Sequence, residues 1–126
     1  MLKILLVENY DSAREIIALT LRDRGYVVVA AASLTEAIEN LKSDPAIQVL
    51  LTALNLSKPL VGEGIALARV AKGLCAKIEV ILVGDEPLLD DRQRREIREI
   101  GVRKIVAKPG LKGLEEELEV LQRVLY

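Results

Sequence analysis

The chain has no histidine, tryptophan or phenylalanine, one cysteine and three tyrosines among its 126 residues, and each shortage closes off a class of function. Without histidine there is no imidazole to move protons near neutral pH or to ligate a transition metal. The lone Cys75 excludes an internal disulfide and any paired-thiolate metal site. Within the Ala-rich segment VAKGLCAKI it is expected to be a small buried apolar residue. Tyr10, Tyr26 and Tyr126 provide no aromatic platform on which exposed bases could stack. Neither sign of charge dominates, since 18 Lys plus Arg are interleaved with 19 Asp plus Glu, so direct nucleic-acid binding is not expected. No apolar run approaches the ~20 residues that cross a bilayer. MLKILLVENYD meets Glu8 too early for a secretory signal. The expectation is a cytoplasmic protein with no membrane partner.

What the chain does have is five short β-rich runs: KILLV (3–7), YVVVAA (26–31), IQVLLTA (47–53), KIEVILV (77–83) and VRKIVA (102–107). Four of them are nearly continuous in apolar residues, the pattern of parallel strands buried on both faces. Amphipathic segments separate and follow them. Ser12 to Arg24 carries Ile16, Ile17, Thr20 and Leu21 on one face and stops at Gly25. A capping box, SLTE at Ser33 to Glu36, opens the second helix and Asp44-Pro45 closes it. The third spans about Gly64 to Lys72, with Ile65, Leu67 and Ala68 available for packing. The fourth, Leu88 to Ile100, is the most polar, and the fifth, Leu111 to Leu125, has leucines at steps of three and four. Five alternations of strand and helix without a linker specify one doubly wound α/β domain over residues 1–126. In such sheets ligands bind beyond the carboxyl ends of the strands. The residues to question are therefore Glu8-Asn9, Ala53 to Asn55, Gly84-Asp85 and Lys108-Pro109.

At those strand ends ILLVENYDSAREIIALTLRDRGYVVVAAAS, VLLTALNLS, GIALARV, EVILVGD and VAKPG together resemble the response-regulator receiver domain, over essentially the whole chain and in order. The resemblance implies a flavodoxin-like fold, a five-stranded parallel sheet of order 2-1-3-4-5 with helices on both faces. It also implies a site. The family places an acidic pair after the first strand to hold Mg²⁺, a phosphoryl-accepting Asp at the end of the third, a Thr or Ser at the end of the fourth and a Lys at the end of the fifth. Here those positions are Glu8 and Asn9, Ala53, Gly84 and Lys108, and Asn55 stands where a backbone carbonyl would reach the metal. The switch position, aromatic in the family, is Ile105.

A methyl group has no lone pair, so Ala53 cannot be phosphorylated. Mg²⁺ binding is not expected with Glu8 as the one acid of the set. Thr52, Ser57 and Asp85 are poor substitutes, Thr52 because strand alternation points it away from the crevice if Ala53 points in. Gly62-Glu63-Gly64 lacks a phosphate-loop pattern and reads as a slightly lengthened loop. With the acids gone, a Glu8–Lys108 ion pair is expected in place of the metal, and the Lys108–Pro109 peptide is expected to be cis as often in the family.

The reading is a pseudo-receiver, a phosphorylation-independent protein–protein interaction module of two-component-type signalling and not an enzyme, with no catalytic residue, metal or cofactor. Its partner, a second copy or another protein, is expected at the fourth helix, fifth strand and fifth helix, where Arg92, Arg95 and Lys104 should lie near Glu115 and Glu119. Two alternatives stand beside it. One is a small-molecule or anion-binding domain using the crevice near Lys108. The other is an active receiver inactivated by an engineered Asp-to-Ala change at Ala53, although Asn9, Gly84 and Ile105 also depart from the family.

Overall fold

Strands and helices alternate throughout the computed structural model, which describes residues 1–56, 62–107 and 110–126. The elements are β1 (Lys3–Val7), α1 (Asp11–Asp23), β2 (Val27–Ala31), α2 (Leu34–Ser43), β3 (Val49–Ala53), α3 (Glu63–Leu74), β4 (Glu79–Val83), α4 (Asp91–Ile100), β5 (Lys104–Val106) and α5 (Leu114–Leu125). All strand pairs are parallel and run in the order β2-β1-β3-β4-β5. Every residue of the central β3 is buried, which is why its sequence shows no polar alternation.

Side chains leave the sheet on two faces and build two cores. Leu5, Leu50, Val80 and Leu82 meet Ala37 of α2, Ile65, Leu67, Ala68 and Ala71 of α3, and Ile97 of α4. On the opposite face Ile4, Leu6, Val49, Leu51 and Ile81 meet Ala18 and Leu21 of α1 and Leu114, Leu118 and Leu121 of α5. Helices α1 and α5 therefore share one side, and α2, α3 and α4 the other. None of the helices is long and apolar enough to cross a membrane among the described residues.

Several expectations are corrected. The core-facing stripe of α1 is Ala18 and Leu21, both buried, with Ile17 partly buried beside them, while Ile16 is 64% exposed and Thr20 turns its hydroxyl back to the Ile16 carbonyl. Cys75 is exposed. It stands one residue beyond α3 with its N–H closing the helix on Ala71, so the backbone leaves the packed face at this position. Helix α4 starts at Asp91 instead of Leu88, because the Asp90 carboxylate and the Gln93 side chain satisfy each other's backbone N–H groups in a capping box that the sequence reading passed over. Strand β5 loses Val102, whose N–H closes α4 by donating to the Ile97 carbonyl. Leu111 to Gly113 form a turn ahead of α5, with Leu111 at φ +49°.

Candidate functional site

The parallel register brings the strand exits level with one another. Val7 lies opposite Thr52, so Glu8 stands beside Ala53; Ala53 lies opposite Val83, so Leu54 stands beside Gly84. Val83 lies opposite Val106, which places Gly84 beside Ala107. Backbone bonds continue the ladder past the strands: Glu8 N–H donates to Ala31 O (3.1 Å), Leu54 N–H to Val83 O (2.8 Å) and Gly84 N–H to Val106 O (3.0 Å). Glu8, Asn9, Ala53, Asn55 and Gly84 are thus gathered at one edge of the sheet. Lys108 and Pro109, and with them the expected Glu8–Lys108 pair and cis peptide, lie outside the described residues, as does Ser57.

Glu8 is 1% exposed, and its Oε1 accepts from the Tyr10 N–H at 3.3 Å. Arg14, which the sequence reading missed, reaches back from α1 to donate to the Glu8 carbonyl at 2.8 Å. Asn9 Oδ1 is buried and has no hydrogen-bond partner among the described residues. Ala53 presents its methyl group at 3% exposure. Thr52 is fully buried and gives its hydroxyl to the Ala53 carbonyl at 3.0 Å, so it is not available to accept a phosphoryl group. Asp85 is exposed beyond β4.

The space beside Gly84 belongs to Leu54. A Cβ placed on Gly84 would sit 2.8 Å from Leu54 Cβ and 3.2 Å from its Cδ2. Leu54 is itself 3% exposed and part of the core beneath α3 and α4. Its carbonyl accepts from the Gly64 N–H at 2.9 Å, and Asn55 turns its side-chain Oδ1 to the Gly62 N–H at 2.8 Å. The two glycines of the lengthened loop have separate reasons. Gly62 takes φ +87° to cap α3, and a Cβ on Gly64 would overlap the Ala53 carbonyl oxygen. No local pattern announces Leu54; its role depends on β3 and β4 being neighbours.

The donor set suits a hard dication poorly. The strand exits supply one carboxylate, Glu8, and one amide oxygen, Asn9 Oδ1, with a methyl at Ala53 where the family has a charged ligand, and Mg²⁺ dehydrates reluctantly. Among the described residues no group of three acids, histidines or cysteines is placed to hold a metal ion.

Charges on the α4, β5 and α5 side pair differently from expectation. Lys104 approaches Glu117 (4.0 Å), not Glu115 or Glu119, and Arg103 joins Glu117 to Glu79. Arg92 lies 3.9 Å from Glu96 within α4, and Arg95 is exposed. Glu115 instead meets Arg24 at 3.0 Å on the α1 side. Glu119 faces the same way: the Tyr26 phenol is pushed up by its burial, then by Glu119 and Glu115, with Arg24 opposing. One helical turn separates Glu115 from Glu119, so both share the face turned from α4. A groove of about 620 Å³ runs between α1 and the start of α5, floored by Ile17, Leu21 and Leu111.

Comparison with known proteins agrees with this geometry. A receiver protein from Pseudomonas putida is 27% identical, with 97% of this chain and 96% of that one covered at a TM-score of 0.77. The N-terminal domain of an uncharacterized protein from Wolinella succinogenes is 26% identical, over 98% and 96% of the two chains, at a TM-score of 0.83. A chemotaxis response regulator of Vibrio cholerae, 24% identical over 98% of both chains, has the same fold at a TM-score of 0.75. No curated protein matches. The family model for the response regulator receiver domain matches residues 4–119, and the chain belongs to that family, the receiver domains of two-component signalling.

Proposed function

We propose that this receiver domain works without phosphorylation, as a cytoplasmic protein–protein interaction module and not as an enzyme. The observation that carries the reading is Ala53, a buried methyl group at the β3 exit where the family's nucleophile stands. Acyl phosphate formation needs a carboxylate oxygen as nucleophile. The supporting changes are of different kinds. Asn9 leaves Glu8 without an acidic neighbour, Gly84 has no hydroxyl, and Ile105 is half-buried against the core in place of a mobile aromatic ring. An engineered change at Ala53 alone accounts for none of these three. Against a small-molecule or anion site in the crevice, Leu54 takes up the space beside Gly84.

Binding is assigned to the surface of α4, β5 and α5. Arg95, Arg92 and Lys104 stand there with Glu96 and Glu117, so charges of both signs are available for pairing across a two-fold axis or with another protein. The test treats the protein with a small phosphodonor and Mg²⁺, reads its intact mass, and measures its oligomeric state by light scattering. An unmodified mass is expected, together with a dimer or with capture of a partner that is lost on reversing Lys104 and Arg95. A hydroxylamine-labile phosphoryl adduct overturns the reading.

A further inference from the structure

We propose that Leu54 and Gly84 form a latch that holds the exits of β3 and β4 against each other in a single arrangement. The inference rests on the phosphorylation-independent reading and adds the device by which the domain keeps one shape. Gly84 is the first indication. Its φ lies outside the left-handed region, so its backbone accepts any residue. What demands a glycine is the neighbour: a Cβ there would lie 2.8 Å from Leu54 Cβ, 3.2 Å from Cδ2 and 3.6 Å from Cγ. Contacts of that kind with a β-carbon are not relieved by a rotamer change, since Cβ moves only with the backbone.

The Leu54 backbone has nowhere to go. Its N–H is bound to Val83 O at 2.8 Å, its carbonyl accepts from Gly64 N–H at 2.9 Å, and a Cβ on Gly64 would come within 2.9 Å of Leu54 Cα. The β4–α4 connection is fixed at both ends, by Gly84 against Leu54 and by Leu89, buried in the core that also holds Leu54 and Ile97. Between them Asp85, Glu86, Pro87 and Leu88 are exposed, Leu88 at 81%. The connection therefore cannot draw in toward the β3 exit, and α4, which it leads into, keeps its place. Packed interiors resist continuous deformation, so filling this space removes a second state.

The test combines a double-mutant cycle with native-state amide exchange. Gly84→Ala is expected to lower the urea midpoint, as is Leu54→Gly. The pair is expected to lose less than the sum of the two, because removing the Leu54 side chain makes room for the new Cβ. As a second variant, Leu54→Ala keeps the fold while deleting Cγ and Cδ2. It should speed amide exchange over residues 84–89 by about tenfold or more. Leu118→Ala, a cavity in the core on the other face, should leave those amides unchanged relative to its global loss. Additive losses, or residues 84–89 exchanging alike in the two cavity variants, overturn the latch. Phosphoryl uptake by the wild-type protein overturns the preceding reading through a separate measurement.

Discussion

Arg14 Nη1 lies 2.8 Å from the carbonyl oxygen of Glu8, and the same guanidinium reaches Asp11 Oδ1 at 2.6 Å through Nη2. One side chain thus ties the first turn of α1 to the exit of β1. The Asp11 contact contributes little, since that carboxylate is 91% exposed. The bond to Glu8 O matters more, because it satisfies a carbonyl beside a buried carboxylate. Arg14→Ala is expected to lower stability by about 1 kcal/mol, read as a shift in the urea midpoint. Asp11→Ala should move it by much less.

Lys3 Nζ and Asp44 Oδ2 stand 2.5 Å apart, joining the start of β1 to the residue that ends α2. Hydrogen bonding from the Lys3 ammonium holds the Asp44 carboxyl below its ordinary range; burial opposes this, and the Ala46 N–H adds to it. A depressed folded value means the unfolded chain binds the proton more readily. The contribution is therefore complete above the unfolded pKa of ~3.9 and disappears as pH falls through the folded value. Asp44→Asn is expected to be less stable than wild type at neutral pH. The gap should close on acidification below about pH 4, as followed by urea titrations at a series of pH values.

Much of this was legible in the sequence because it depends on local pattern. The apolar runs of β1, β3 and β4 are continuous since both faces are covered, and Ser33 caps α2 as read, with Glu36 N–H donating to Ser33 Oγ; the expected box is not closed, because the Glu36 carboxylate accepts from the Ala32 N–H, one residue ahead of the cap. What escaped depends on tertiary neighbours. Ile16 and Leu21 are equally apolar, and only the position of α5 decides that Ile16 borders an open groove while Leu21 is buried. Gly84 was legible as a missing hydroxyl, but not as the seat of Leu54, which needs β3 and β4 side by side. The resemblance sets Glu115 and Glu119 near Arg92, Arg95 and Lys104 on the α4, β5 and α5 surface, whereas their helical face turns them to Arg24 and Tyr26.

Cys75 yields a direct check on one of those corrections. Exposed at the end of α3, its thiol is expected to react with an aromatic disulfide reagent in the native protein, without denaturant and to completion for the single cysteine. Since it packs little, Cys75→Ser should change stability by less than about 0.5 kcal/mol. Labelling that requires urea would return Cys75 to the interior.

Ala53→Asp would return a carboxylate to the β3 exit without restoring anything else. The new group would stand beside Glu8 in register at a position only 3% exposed, and burying a second acid there is expected to cost about 1–3 kcal/mol. Asn9 would still leave the metal short of charge, and Gly84 would still be closed by Leu54 and without a hydroxyl. Catalysis of phosphoryl transfer is largely positioning and charge neutralisation, so a nucleophile alone should gain almost nothing. The variant is expected to show an unchanged intact mass after incubation with a small phosphodonor and Mg²⁺. Hydroxylamine-labile uptake in the variant alone would mean that the site lost one atom group and kept the rest of its machinery, against the several independent losses argued from Asn9, Gly84 and Ile105.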